Sequence, residues 1–319
     1  MTAAGKRVDP LSLTHASVQQ AAARILGAVH RTPVLTSSTF DGWAQRSLFF
    51  KCENLQRVGA FKIRGATNAV RNIHESRRMA GVLTHSSGNH AAALALAARE
   101  ASVPCWVVMP TNAPEVKRDA VRGYGATIVP CAPTLEDRER VAGELAAATG
   151  ATLVHSYDNE DVIAGQGTAA LELLEQVPDL QAIVVPIGGG GLCAGTVLAV
   201  NQRCAVYAAE PSGADDAAKS KASGVRLPQH DPRTIADGLR TAVGQLNWPF
   251  LRDGVADVLT VDDDAIEAAM RHVWQRMKLV VEPSAAVPLA AVWGNTFRSI
   301  EGLERVGIIL SGGNVALPR

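Results

Sequence analysis

Short apolar runs alternate with segments whose hydrophobic positions recur at helical spacing along most of the chain. The apolar runs predict buried strands, because a strand covered on both faces carries hydrophobic side chains at nearly every position. The predicted strands span residues 48–52, 81–84, 106–109, 127–129, 183–185, 206–209 and 306–310. The predicted helices include residues 16–29, 117–124, 135–149, 162–176 and 264–278. This alternation predicts an α/β fold with mostly parallel sheets covered by helices.

Composition and charge narrow the class of protein. The chain has 319 residues, of which 47% are hydrophobic and 19% charged, and this balance is typical of a globular protein. Because 31 basic residues balance 31 acidic ones, there is no charge excess to attract nucleic acid or an anionic membrane. No segment has the pattern of a membrane span or a signal peptide, and the five cysteines lack metal-binding spacing. We expect a cytoplasmic protein with neither a nucleic-acid nor a membrane partner.

Lys62 is the first candidate for chemistry. It follows Phe61 in the segment Gly-Ala-Phe-Lys-Ile-Arg-Gly-Ala at residues 59–66. Apolar neighbours remove water from an ammonium group and lower its pKa. A neutral amine can form a Schiff base with an aldehyde. The ordinary alternative is a lysine whose head group lies in water.

A run of four glycines predicts an anion site. Gly188–Gly191 follow a predicted buried strand and precede a segment with helical character. Glycines allow close approach of the backbone, and the helix that follows directs its free N–H groups at the same point. A phosphate is the expected guest, and a flexible turn is the alternative.

Two further polar segments follow predicted strands. Residues 84–90 (Thr-His-Ser-Ser-Gly-Asn-His) precede an alanine-rich helix, and their hydroxyls and amides are suited to a carboxylate. Residues 311–314 (Ser-Gly-Gly-Asn) follow the strand at 306–310. In open α/β sheets, sites form at the carboxyl ends of the strands, so we expect these segments to lie together.

Taken jointly, these motifs resemble those of the fold-type II enzymes that use pyridoxal 5'-phosphate (PLP), in the serine/threonine dehydratase and serine racemase branch. Further matching segments occur in the family's order at residues 164–168, 209–212, 235–238 and 281–284. The resemblance implies a tryptophan synthase β-like fold with two lobes and twisted, mostly parallel sheets. The large PLP-binding lobe would comprise residues 1–80 and 159–319, and the small lobe residues 81–158. The cofactor would lie between the lobes.

The resemblance also implies which residues hold PLP. Lys62 would bind it as a Schiff base and would remove the α-proton of the substrate. The glycine loop would bind the phosphate, Asn89 the ring hydroxyl, and Ser311 would face the pyridine nitrogen. The full set of expected cofactor-binding residues is Phe61, Lys62, Asn89, Gly188, Gly189, Gly190, Gly191, Leu192, Gly238, Glu282 and Ser311.

A second set of residues is expected to bind the substrate. By the resemblance, Ser86, Ser87, Asn89 and His90 would hold its carboxylate. Ser87 would also supply the proton on the face opposite Lys62, as the corresponding serine does in serine racemases. Arg138 would meet a second carboxylate, a task that suits its bidentate fork. The alternative for Arg138 is a surface ion pair on a charged helix.

The acidic segment at residues 210–216 is a candidate metal loop. The resemblance implies that Glu210, the carbonyl of Ala214 and Asp216 bind Mg²⁺, or alternatively Ca²⁺ or Mn²⁺, all of which take oxygen ligands. From composition alone, an acidic surface loop is the simpler interpretation.

These assignments predict α,β-elimination from a small β-hydroxy amino acid, accompanied by serine racemisation. L-serine, L-threonine and L-threo-3-hydroxyaspartate are the candidate substrates, and a keto acid and ammonia the products. The alternatives are racemisation of serine or aspartate as the main activity, β-replacement of the cysteine synthase type, and a PLP carrier without catalysis. A nicotinamide-dependent dehydrogenase is disfavoured because no G-x-G-x-x-G is followed by an acidic residue at the required distance. The family suggests a homodimer. Tyr157 departs from the asparagine of animal serine racemases.

Overall fold

The computed structural model describes residues 12–228 and 231–316, which form two β-sheets covered by helices. The strands are β1 (Val34–Leu35), β2 (Ser47–Cys52), β3 (Val82–Thr84), β4 (Cys105–Pro110), β5 (Thr127–Cys131), β6 (Thr152–Leu153), β7 (Ala182–Pro186), β8 (Ala205–Pro211), β9 (Asp257–Val261) and β10 (Arg305–Leu310). The helices are α1 (His15–Ile25), α2 (Ser38–Ala44), α3 (Lys62–Arg71), α4 (Glu75–Arg78), α5 (Asn89–Glu100), α6 (Glu115–Gly123), α7 (Leu135–Thr149), α8 (Glu160–Gln176), α9 (Gly191–Val200), α10 (Asp216–Ser223), α11 (Trp248–Gly254), α12 (Asp263–His272), α13 (Pro283–Trp293) and α14 (Asn295–Arg298).

The larger sheet has the strand order β1-β2-β10-β7-β8-β9. β1 pairs with β2 in the antiparallel sense, and every other neighbouring pair is parallel. Successive residues of β7 enter different cores, because side chains alternate between the two faces of a strand. Val184 packs in the core that contains α12 and α13, whereas Val185 packs in the core that contains α1, α8 and α9. Both faces are therefore covered, and the predicted α/β class is confirmed.

The smaller sheet has the order β5-β4-β3-β6 and is entirely parallel. Helix α7 covers one face, where Ala142 packs with Leu83 and Val108, and α5 covers the other. All four strands lie between residues 82 and 153. This sheet falls within the predicted small lobe, but the lobe boundaries themselves stay a prediction. Residues 1–11, 229–230 and 317–319 of the predicted large lobe lie outside the described residues.

Helix α3, which begins at Lys62, joins the two layers. Ile63 and Ala66 pack with α5 in the core of the smaller sheet. Another side of α3 packs against α8, which covers the larger sheet. The first turn of α3 therefore lies where the two cores meet.

The predicted elements agree with the structure to within one or two residues at most boundaries. The two-residue strands β1 and β6 and the strand β9 were missed. Helix α1 ends at Ile25 rather than at residue 29, because Leu26 leaves the helical conformation with ψ 131° and Gly27 has φ +75°. The helix predicted over 264–278 ends at His272 and continues as a wider π turn, Val273–Met277. Among the residues that the structure describes, no helix is long and apolar enough to cross a membrane.

Candidate active site

Lys62 is the first residue of α3, and its amine is held in a poorly solvated position. Lys62 Nζ donates to the carbonyl oxygen of Ser156 at 2.8 Å and lies 5.0 Å from the ring centroid of Phe61. Burial lowers the pKa of Lys62 to about 8, although the negative charge of Glu282 acts in the opposite direction. An amine with this pKa is partly neutral near physiological pH, so it can act as a nucleophile and as a base.

A carboxylate and two amides form the polar side of the site. Glu282 is buried, and burial raises its pKa to about 7. Asn89 Nδ2 lies 3.0 Å from Glu282 Oε1 and 3.2 Å from Oε2. Asn314 Nδ2 donates to Asn89 Oδ1 at 2.9 Å and to the carbonyl of Val58 at 2.8 Å. These bonds fix the amide of Asn89. Asn314 belongs to a predicted motif, but this positioning role was not predicted from the sequence.

The segment after β10 closes the site from the other side. The backbone N–H of Phe61 donates to the carbonyl of Ser311 at 3.0 Å, and Ala60 pairs with Gly312. A Cβ on Gly312 would lie 2.8 Å from Glu282 Oε1, so a side chain there would displace the carboxylate. The backbone of Ser311 is thus brought beside Phe61, the residue before Lys62, and its role toward the cofactor stays a prediction.

The four glycines form a loop that admits no side chains. A Cβ on Gly189 would overlap the ring of Tyr157, one on Gly190 would lie 2.9 Å from Asn247 Cβ, and one on Gly188 2.9 Å from Leu239 Cα. Gly190 also has φ +93°. Helix α9 begins at Gly191, with Leu192 next in its first turn. Within residues 12–228 and 231–316, the N–H groups of residues 189–191 donate to no other group. Free N–H groups at a helix start suit a phosphate.

Residues from three other segments hold this loop. Asn247 Nδ2 lies 2.8 Å from the Gly189 carbonyl and 3.0 Å from the Tyr157 carbonyl. Gly238 lies beside Gly188, and its N–H donates to Ser284 Oγ at 3.1 Å. Asn247 was missed in the sequence, because nothing in the motif around it marks a contact with a distant loop. Gly238 was predicted and lies at the loop.

The start of α5 offers donors for a carboxylate. Ser86 Oγ accepts from the N–H of Gly88 at 3.4 Å, and Ser87 lies between them in the chain. The first-turn N–H groups of Asn89 and His90 have no acceptor among the described residues. His90 Nε2 lies 3.1 Å from the Val154 carbonyl, which can only accept, so this nitrogen carries the proton. Burial lowers the pKa of His90 to about 3. Its other nitrogen is therefore an acceptor, and only the backbone of His90 can donate to a carboxylate.

Arg138 lies on α7, near a row of three aromatic rings. It is half-buried, and its charge, after burial, helps to lower the pKa of His85. The His85 and His155 ring centroids are 5.4 Å apart, and those of His155 and Tyr157 are 4.5 Å apart. Tyr157 in turn packs on Gly189. The row therefore runs from the neighbourhood of Arg138 to the glycine loop. His155 was not predicted as a site residue.

The predicted metal residues lie behind the glycine loop. Glu210 accepts from the N–H groups of Ala217 and Ala218 at 3.2 and 2.6 Å, and Asp216 Oδ2 accepts from Val243 at 3.3 Å. Burial raises the pKa of Glu210 to about 8 and that of Asp216 to about 6. Neither carboxylate forms a salt bridge within the described parts of the chain.

Two close carboxylates without a basic partner suit a hard cation that retains water ligands. The described residues contain no cluster of three side chains that could ligate a metal, so a backbone carbonyl such as that of Ala214 would have to contribute. Gly244, next to Val243, donates its N–H to the carbonyl of Gly189 at 3.0 Å. The carboxylates are thereby connected to the phosphate loop.

A buried network of ion pairs holds helix α3 through Arg64. The Arg64 guanidinium is fully buried and donates to Glu53 at 2.7 and 2.8 Å and to Glu172 at 2.8 and 2.9 Å. Lys51 Nζ, also fully buried, donates to Glu172 Oε2 at 2.6 Å and to the Thr32 carbonyl at 2.9 Å. Such charges are tolerated in a core because each is paired and hydrogen-bonded. This network was not predicted from the sequence, although Arg64 stands two residues after Lys62.

Two glycine contacts set the spacing between the lysine and the phosphate loop. A Cβ on Gly165 of α8 would lie 2.6 Å from Gly65 Cα on α3. A Cβ on Gly167 would lie 2.5 Å from the Gly195 carbonyl oxygen on α9. Helix α8 is therefore a spacer between α3, which begins at Lys62, and α9, which begins at the glycine loop. The contacts leave room for hydrogen atoms only.

Comparisons with known proteins agree with this arrangement. A family described as "Pyridoxal-phosphate dependent enzyme" matches residues 25–312. The chain is 47% identical over 317 residues to the serine racemase of Dictyostelium discoideum, covering 97% of this chain and 98% of that protein. The crystal structure of that racemase superposes with a TM-score of 0.93, covering 96% of this chain and 100% of the other.

Two other solved structures are similar. A pyridoxal 5'-phosphate-dependent aspartate racemase has 42% identity and a TM-score of 0.90, with 95% of this chain and 96% of the other covered. The threonine deaminase of T.th. has 41% identity and a TM-score of 0.89, with 95% and 99% covered. The similar structures therefore include two racemases and a deaminase, whose names give different reactions.

Proposed function

The chain belongs to the pyridoxal-phosphate dependent enzymes of fold-type II, and from this premise we propose that it racemises serine and, in a competing reaction, eliminates water from it. The observation that carries the proposal is the 47% identity with the Dictyostelium serine racemase over nearly the whole of both chains. The sequence motifs alone favour elimination as the main reaction, with racemisation beside it. The relatives support the opposite order.

The residues of the site fit the cofactor. The free N–H groups of the glycine loop suit its phosphate, and Lys62, with a pKa lowered by burial, suits its aldehyde. Asn89 and Ser311 are held near Lys62 by Glu282, Asn314 and Phe61. When bound, pyridoxal phosphate supplies the carbonyl that captures the amino group of the substrate and the electron sink that stabilises a carbanion at Cα.

The chain's own residues then bind the substrate and move protons. The N–H groups at the start of α5, with Ser86, would hold the substrate carboxylate. The amine of Lys62 would take the proton from Cα of L-serine, and the hydroxyl of Ser87 would deliver one to the opposite face. Delivery of the Ser87 proton to Cα on that face yields D-serine. Loss of the β-hydroxyl as water instead leads, after hydrolysis, to pyruvate and ammonia.

The test follows both products from one substrate. Purified holoenzyme is given L-serine, and D-serine is measured by chiral chromatography while keto acid is measured in the same samples. Lys62→Ala serves as the blank. We expect both products, with D-serine formed at least as fast as the keto acid. Keto acid without D-serine would overturn the racemase proposal and leave the dehydratase. Absence of both would leave β-replacement.

A dicarboxylic substrate is a second candidate, supported by the place of Arg138. This cation lies close enough to His85 to influence its pKa, and His85 directly precedes Ser86. The similarity to an aspartate racemase points in the same direction. Keto-acid release from L-threo-3-hydroxyaspartate and L-serine would be compared for the parent and Arg138→Gln. A preference for hydroxyaspartate that Arg138→Gln abolishes supports this candidate. Equal loss for both substrates would contradict it.

The remaining expectations extend the proposal. Glu210, Asp216 and the Ala214 carbonyl would bind Mg²⁺ as a structural ion behind the phosphate loop. A homodimer and a cytoplasmic location stay predictions, which sedimentation of the holoenzyme and microscopy of a tagged chain would test. In the proposed two-face scheme, Lys62 acts on one face of the substrate and Ser87 on the other. No other proton donor is proposed on the Ser87 face, so a Ser87 variant is the sharpest test of this scheme.

A further inference from the structure

A cavity of about 410 Å³ lies beside the C-terminal end of helix α3, away from the candidate active site. It is lined by the last turn of α3, the segment up to α4, strand β6 and the start of α8. None of its lining residues is a predicted cofactor or substrate residue, although the carbonyl of Val154 accepts from His90 of the candidate active site. Lys62 lies ten residues before Asn72 on the same helix, which is roughly 15 Å along its axis.

The cavity contains an acid and a base that do not pair with each other. Asp161 is half-buried, and burial raises its pKa. Its Oδ1 accepts from Asn72 Nδ2 at 2.8 Å. Arg77 is exposed at the rim. Within the described residues, neither Asp161 nor Arg77 forms a salt bridge. Residues of opposite charge therefore line one cavity, and neither is neutralised by a salt bridge in the part of the chain that is described, although the charge of Arg24 also acts on Asp161.

Two further features of the lining indicate an organic ligand. The side chains of Ala69, Ile73 and Val154 provide an apolar surface. Thr152 Oγ1 is buried and has no hydrogen-bond partner among the residues that the structure describes. A buried hydroxyl without a partner costs free energy unless a ligand or water completes it.

We propose that this cavity binds an α-amino acid as a zwitterion, with its ammonium group at Asp161, its carboxylate at Arg77, and a small aliphatic side chain against Ile73 and Val154. A dianion such as phosphate would place excess negative charge beside Asp161. A bare divalent cation would find a single carboxylate, which is too few ligands. The zwitterion matches both charges and the apolar surface, and the binding does not depend on the reaction proposed above.

The position of the cavity connects its ligand to catalysis. Val154 and Asn159, at the two ends of one loop, both line the cavity. Between them lies Ser156, whose carbonyl accepts from Lys62 Nζ, and the Val154 carbonyl accepts from His90. A ligand in the cavity therefore contacts the loop that carries the Ser156 carbonyl and the end of α3, the helix that begins at Lys62. These are the two elements that the Lys62–Ser156 hydrogen bond joins. We expect occupancy to change kcat without competing with the substrate.

L-valine is the probe, because it has the required charges and no β-hydroxyl to eliminate. Its binding to the holoenzyme is measured by calorimetry beside that of 3-methylbutanoate, which lacks the amine, and isobutylamine, which lacks the carboxylate. The variants are Asp161→Asn and Arg77→Gln, and Arg78→Gln, outside the cavity lining, is the matched control. Cofactor absorbance is recorded throughout, since binding at Lys62 would change it.

We expect L-valine to bind the parent and Arg78→Gln alike without changing cofactor absorbance. Each cavity variant should weaken binding about tenfold, and each valine analogue should do the same, because each change removes one charged contact. No binding to the parent, or binding to both cavity variants as tight as to the parent, would overturn the inference. A holoenzyme that fails to racemise serine yet binds valine in this way would lose the proposed function and keep this one.

Discussion

Gly165→Ala tests whether α8 sets the distance between the lysine and the phosphate loop. The new Cβ would lie 2.6 Å from Gly65 Cα, 2.8 Å from the Arg64 carbonyl oxygen and 2.9 Å from Asn68 Cβ. Carbon atoms in contact normally lie about 3.5 to 4.0 Å apart, so α3 must move by roughly 1 Å. Two of the three obstructing atoms belong to the backbone, which cannot rotate aside.

The expected cost follows from this displacement. Overpacking of a close-packed core costs about 1 to 3 kcal/mol, and the gain from replacing glycine in a helix offsets at most about 1 kcal/mol. We therefore expect the free energy of unfolding to fall by roughly 0 to 3 kcal/mol. Because a 1 Å misplacement of a catalytic group costs about 100-fold, activity should fall much more than stability.

The assay combines urea unfolding of the holoenzyme with kcat/KM for L-serine. Gly143→Ala on α7 is the matched control, because a Cβ there meets no atom within 4 Å. It should be neutral or slightly stabilising and fully active. The spacer interpretation fails if Gly165→Ala behaves like Gly143→Ala in both measurements, or if it loses stability while keeping kcat/KM.

Three further predictions concern single groups. Ser87→Ala should abolish formation of D-serine and elimination from D-serine while sparing part of the elimination from L-serine, and equal loss of all three activities would refute the two-face scheme. Mg²⁺ should raise the melting temperature more at pH 8 than at pH 6, because the pKa values of Glu210 and Asp216 lie near 8 and 6 and protons compete with the ion. Glu210→Gln should remove most of this effect, and a pH-independent Mg²⁺ shift would contradict the assignment. The cofactor-free protein should become more stable as pH rises from about 8 toward 10.5, because Lys62 binds fewer protons when folded, and Lys62→Met should eliminate that rise.

Local patterns were sufficient to predict the α/β class, seven strands and the segments that carry Lys62, Ser87 and the glycine loop. They succeed because a buried strand and a glycine turn are each encoded within a few consecutive residues. Asn247 and Glu172 illustrate what local pattern cannot reveal. Their roles arise from contacts 58 and 108 residues away in sequence, with Gly189 and Arg64. The motifs also did not rank racemisation against elimination, and the proposed order rests on the similar proteins instead.

Strand β10 determines when the larger sheet, and with it the candidate active site, can assemble during synthesis. It is the last strand of the described chain, yet it lies between β2 and β7 in the middle of the larger sheet. Without it, the sheet separates into β1-β2, which leads to Lys62, and β7-β8-β9, which leads to the glycine loop. During synthesis on the ribosome, the two halves of the cofactor site therefore stay unconnected along this sheet until residues 305–310 have emerged. Premature termination before that point would release a polypeptide with both motifs but without the strand that joins them in this sheet, so cofactor capture would report the synthesis of β10.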